Sequence, residues 1–105
     1  MGFLDFIFGK KEGQLNEYLE KGAILLDVRT KREWDGGHLK GAKHVPLDDL
    51  QNNVEALKKL NKPFIVYCAS GARSAQATKF LNLQNMEAIN CGGWMSLQKK
   101  IQGLS

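Results

Sequence analysis

The segment Cys68-Ala-Ser-Gly-Ala-Arg73, entered from the apolar run Phe64-Ile-Val-Tyr67 and followed by Ser74, has residue types suited to nucleophilic chemistry at sulfur. A strand that delivers a cysteine into a short loop ahead of a helix aims several backbone N–H groups at one point, forming an anion nest. Gly71 lets such a loop curl tightly. The same amides, the positive end of the following helix and the Arg73 cation favour a thiolate over a thiol. A thiolate needs no adjacent general base, and neither His38 nor His44 is close to Cys68 in sequence. The simpler alternative, a buried thiol closing a core strand, requires neither the glycine nor the arginine. Ala69, Ser70, Gly71, Ala72 and Arg73 are therefore the candidate cradle, with Ser74 beside them as a binding residue. The Arg73 side chain can either clamp an oxyanion or brace the loop.

Such a loop needs a strand before it and a helix after it. Phe64–Tyr67 supplies the strand, and Ala77, Phe80 and Leu81 mark a helix running on from Arg73. Upstream, Leu15, Tyr18 and Leu19 predict a short amphipathic helix over Gln14–Lys21 that stops at Gly22. Ala23–Val28 is a nearly continuous apolar run, as in a parallel strand covered on both faces, with Asp27 and Arg29 at its carboxyl end. Thr30-Lys-Arg-Glu33 is a capping box opening a helix that Gly36-Gly37 ends. Ala42–Pro46 gives a short extended piece, and Leu50, Val54 and Leu57 predict a helix over Leu47–Leu60. Met86–Asn90 predicts a further strand, after which Gly92-Gly93 turns into a last helix bearing Trp94, Leu97 and Ile101. This alternation predicts a parallel sheet with helices on both faces and a site at the carboxyl ends of its strands, where Asp27, Arg29 and Cys68 fall.

Several other residues invite a functional reading beside a structural one. Asp27 and Arg29 can support the pocket, although bracing the strand end by mutual ion pairing is favoured. Trp34 and Trp94 can flank the mouth of the site, but large aromatics at helix starts more often anchor a core. His38 fits a hydrogen-bonded turn, and its offset from His44 suits no zinc pattern, so no metal and no cofactor are expected. Cys91 is a candidate second thiol, able to exchange with Cys68 if folding brings the two together, with simple packing as the alternative.

With 105 residues and 43% hydrophobic content, the chain suffices for one core, and it divides into an apolar N-terminal segment, residues 1–12, and a domain over 13–105. Phe3, Leu4, Phe6, Ile7 and Phe8 of that segment can pack on the domain, bind a partner or rest on a membrane surface, but are too few to span a bilayer. The net charge of +4 comes from scattered lysine pairs, which suits approach of small anions and not a clustered nucleic-acid footprint. Two cysteines are too few for a disulfide framework, and no secretion signal is evident, so a reducing, cytoplasmic setting is expected.

Leu26-Asp-Val-Arg29, Glu33-Trp34, Gly37-His-Leu-Lys-Gly-Ala42, Val45-Pro-Leu47, the Cys68 loop and Gly92-Gly-Trp94 together resemble the rhodanese homology domain, from about Gly13 to the end. The resemblance implies a domain of about five parallel strands, with helices on both faces, acting as a sulfurtransferase. Its loop cysteine would take sulfane sulfur from thiosulfate or a persulfide and pass it, by double displacement, to cyanide or a thiol. A protein acceptor served by a persulfide carrier or docking module is the alternative. A related branch of the fold handles phosphate or arsenate with a loop one residue longer; here Ser74 stands where that branch has arginine, and no acid is evident for a leaving alcohol.

Overall fold

The computed structural model describes residues 10–104, so the N-terminal apolar residues 1–9 lie outside it. Helix α1 (Lys10–Glu20) leads into β1 (Ile24–Asp27), α2 (Lys31–Asp35) and β2 (Lys43–His44). Two 3-10 turns, Leu47–Asp49 and Gln51–Asn53, precede α3 (Val54–Lys59). The chain then runs through β3 (Phe64–Cys68), α4 (Ala72–Leu83), β4 (Ala88–Gly93) and α5 (Trp94–Leu104). The strands form one sheet in the order β2-β1-β3-β4, parallel at every pairing, so their carboxyl ends share one edge.

Strand alternation divides the sheet's side chains between two cores. Phe64, Val66 and Cys68 face α3 and α4 with Leu57, Ala77 and Leu81, whereas Ile65 and Tyr67 face α1 and α5 with Leu15, Tyr18 and Leu97. All five residues of β3 are fully buried. A large apolar side chain so withdrawn contributes about 1.5–3 kcal/mol, so the position of Cys68 is held by burial on both faces of the strand that carries it.

The sheet has four strands among the described residues where the resemblance implies about five; three of the four fall on apolar runs of the sequence, and β2 is the two-residue piece Lys43–His44. The helix expected over 47–60 breaks into two 3-10 turns and a short α-helix. Asn53 sits at φ −109°, ψ 5°, off helical geometry, and its side-chain amide donates to the Asp49 carbonyl at 2.8 Å, in competition with a continuous backbone ladder. Gly92 and Gly93 extend β4 instead of forming a separate turn. No helix among the described residues is long and apolar enough to cross a membrane.

Candidate active site

Cys68 ends β3, and the chain turns through Ala69 and Ser70 into α4 by way of Gly71 at φ +106°. A Cβ at Gly71 would lie 3.3 Å from the Gly92 Cα, and one at Gly93 would lie 2.7 Å from the Ala69 carbonyl oxygen. Both glycines are thus required for β4 to approach the loop, Gly71 for its left-handed backbone as well. Register makes the same point: Cys68 pairs with Gly93, past an irregularity after Val66.

The Cys68 sulfur accepts the Gly71 N–H at 2.9 Å and the Ser74 N–H at 3.4 Å, and lies 3.3 Å from the Ser74 hydroxyl. Burial pushes the thiol pKa up, but the Ser74 hydroxyl and the N–H groups of Ser74, Gly71 and Ser70 outweigh it and bring the net value below the ordinary 9.0. Of the residues expected to line the sulfur, Gly71 and Ser74 bring backbone N–H groups to it, while Ala69, Ala72 and Arg73 make no hydrogen bond to it. Ser74 is itself fully buried and bonds onward to Asn90, which the sequence pattern marks only as the end of a strand.

Arg73 turns both terminal nitrogens onto Glu33, at 2.6 and 2.9 Å. This bidentate pair ties the start of α4 to α2. Glu33 is lowered to about 2, first by the Arg73 hydrogen bond, against opposition from burial, and further by the Thr30 N–H and hydroxyl. The capping box over Thr30–Glu33 is complete, so one carboxylate caps its own helix and anchors the loop arginine from 40 residues away. Only the first of these jobs has a local sequence signal.

Asp27 and Arg29 are almost fully buried and pair at 2.7 Å, while the Arg29 N–H also caps the carboxylate at 2.9 Å. Arg29 further donates to the Gly37 carbonyl at 2.7 Å, and its guanidinium lies 5.0 Å from the Trp94 ring centre. The hydrogen bond to Asp27 raises the Arg29 pKa against the cost of burial. Burial, followed by the Asp27 carboxylate, likewise raises that of Tyr67. The pair thereby joins the ends of β1 and α2 to the start of α5.

Trp34 is half-buried and stacked between two imidazoles, His38 at 3.4 Å and His44 at 4.7 Å. Each histidine also bonds a carbonyl, His38 that of Trp34 and His44 that of Arg29. Cys91 packs in the Leu15–Leu97 core, on the sheet face opposite Cys68. It lines an open cleft of about 670 Å³ with Ser70, Gly71, Asn90 and Lys100, to which Cys68 contributes no wall.

Residues 12–100 match the family described as Rhodanese-like domain. A rhodanese-like domain protein from Staphylococcus aureus superposes with a TM-score of 0.68 at 31% identity, over 81% of this chain and 84% of that one. The human single-domain sulfurtransferase TSTD1 gives a TM-score of 0.65 at 27% identity, over 84% and 92%. The probable adenylyltransferase/sulfurtransferase MoeZ of Mycobacterium tuberculosis is 40% identical over 68 residues, which are 61% of this chain and 17% of that protein. The chain spans less than half the length of several curated relatives that it matches.

Proposed function

The chain belongs to the rhodanese-like domain family, and on that footing we propose that it is a sulfurtransferase that carries sulfane sulfur as a persulfide on Cys68. The observation that supports this most directly is the set of N–H groups, from Gly71 at 2.9 Å and Ser74 at 3.4 Å, converging on the sulfur where β3 meets α4. On this reading they lower the energy of the thiolate before reaction and stabilise the persulfide anion formed from it.

In the reaction, the Cys68 thiolate attacks the outer sulfur of thiosulfate, the S–S bond of the donor breaks with its electron pair, and sulfite leaves. A nucleophile, cyanide or a thiolate, then attacks the terminal sulfur of the persulfide, and Cys68 departs as thiolate. No oxidant enters, because sulfane sulfur is passed between nucleophiles. Arg73 acts chiefly as a brace, with both terminal nitrogens engaged by Glu33, and Asp27 with Arg29 supports the strand end. The reaction suits a reducing, cytoplasmic compartment, in which a thiol acceptor is abundant.

A second reading makes the domain a persulfide carrier for a protein acceptor, with residues 1–12 as a docking element. It draws support from the much longer relative of which this chain matches only a minor part. Intact mass spectrometry after thiosulfate treatment tests both. Wild type should gain one sulfur that cyanide removes as thiocyanate, and Cys68→Ala should gain none. Loading without discharge to small acceptors favours the carrier; absence of any Cys68-dependent adduct from thiosulfate refutes thiosulfate as the donor, and absence from a persulfide donor as well refutes both.

A further inference from the structure

The Ser74 hydroxyl has one proton and two claimants. Its oxygen lies 3.3 Å from the Cys68 sulfur and 2.7 Å from Asn90 Oδ1. Which way the Asn90 amide points is dictated by the backbone around it: Oδ1 accepts the Gly92 N–H at 3.0 Å, and Nδ2 donates to the Gly71 carbonyl at 3.3 Å. A flipped amide would set donor against donor at Gly92 and acceptor against acceptor at Gly71. Asn90 therefore presents an acceptor to Ser74, and the hydroxyl proton points at Asn90. The lone pairs of Ser74 then face the sulfur, which is satisfied when Cys68 is a thiol donating its own proton to Ser74.

Ionisation of Cys68 reverses this arrangement. The sulfur loses its proton to solvent and keeps the electron pair, and the Ser74 hydroxyl must swing its proton from Asn90 to the thiolate. Ser74 and Asn90 neither gain nor lose a proton, but the contact between their oxygens is left without a hydrogen. We infer that Asn90 is a positioning residue that holds the Ser74 proton away from Cys68 in the thiol form and so sets how readily the sulfur ionises. This rests on the sulfur-transfer reading only for its consequence, since the ionisation itself is a property of the free protein. The other titratable and charged groups near the loop are these: Arg73 from α4 is paired with Glu33 from α2, Asp27 at the end of β1 is paired with Arg29, Tyr67 lies in the opposite core, β4 brings Cys91 on the other face, and α5 brings Lys100 to the cleft beside Ser70 and Gly71.

The test is the pH dependence of iodoacetamide alkylation at Cys68, followed by peptide mass spectrometry so that Cys91 is counted separately. Asn90→Ala releases the hydroxyl and should lower the midpoint by about one pH unit, whereas Asn90→Asp grips the proton harder, adds a negative charge and should raise it. In a Ser74→Ala background, Asn90→Ala should leave the midpoint unmoved. A loop merely loosened by the substitution would lose amide donors, so an Asn90→Ala midpoint that rises or stays put overturns the inference. So does a shift that persists without Ser74. If Asn90→Ala fails to fold by circular dichroism, Asn90→Asp decides the matter, and a midpoint not raised refutes it. Sulfur loading of wild type from thiosulfate, measured in parallel, can fail or succeed independently of these midpoints.

Discussion

Replacing Glu33 by glutamine removes the charge that holds Arg73 while keeping a side chain able to close the capping box, since Gln serves that position as Glu does. Glu33 stands at about 2 in the folded protein against an ordinary 4.5. Taken whole, that difference corresponds to about 3 kcal/mol. The two side chains are 33% and 32% exposed, however, and solvent screening reduces the contribution to about 1–1.5 kcal/mol. The folded value is the depressed one, so this stability is fully present above pH 4.5 and is lost as pH falls toward 2. Urea unfolding of wild type and Glu33→Gln should therefore differ by about 1–1.5 kcal/mol at pH 7, and by less than half as much at pH 3. In an Arg73→Ala background the same substitution should cost little, since the partner is gone. A difference that is the same at pH 3 and pH 7, or that survives loss of Arg73, would refute the assignment of Glu33 as the anchor of the loop arginine.

Three further outcomes follow from the same geometry. Gly93→Ala places a methyl group 2.7 Å from the Ala69 carbonyl oxygen, so thermal or urea unfolding should register a loss of about 1–3 kcal/mol, with slower alkylation of Cys68 as the loop shifts. Asp27→Asn strands the buried Arg29 guanidinium without its carboxylate and should destabilise by about 3–5 kcal/mol, far more than Glu33→Gln. The alkylation midpoint of wild-type Cys68 should lie below 9.0, and Ser74→Ala should raise it, because a hydrogen bond available to the thiolate is lost.

The strands and the loop were legible because each is a local statement. Ile24–Asp27 and Phe64–Cys68 are apolar runs ending on polar or reactive residues, and a cysteine followed by glycine and arginine announces a loop entering a helix. The Thr30–Glu33 pattern likewise specified its own cap. What stayed hidden depends on partners distant in sequence. Nothing around Glu33 says that it also grips Arg73, because the capping box alone accounts for it. Asn90 reads as one more strand residue until the fold lays β4 beside α4 and sets its amide among Gly71, Ser74 and Gly92. Gly93 similarly reads as a turn, although its lack of a side chain serves the Ala69 carbonyl across the sheet. The broken helix over 47–60 was missed because 3-10 and α-turns share nearly the same apolar spacing, and the Asn53 side-chain bond that separates them has no hydrophobic signature.

The alternation of side chains across the sheet puts Cys68 on one face and Cys91 on the other. A second thiol within reach would act as a permanently attached acceptor at an effective concentration of order millimolar or more, and would drain a stored sulfur whether or not a substrate had arrived. Here the two thiols belong to the cores on opposite faces of the sheet. A loaded protein should consequently lose its sulfur at a rate proportional to the external acceptor and extrapolating to zero in its absence. On the sulfur-transfer reading proposed above, sulfur held at Cys68 would then have a shelf life set by its surroundings, and the domain would deliver on encounter instead of leaking by an internal clock.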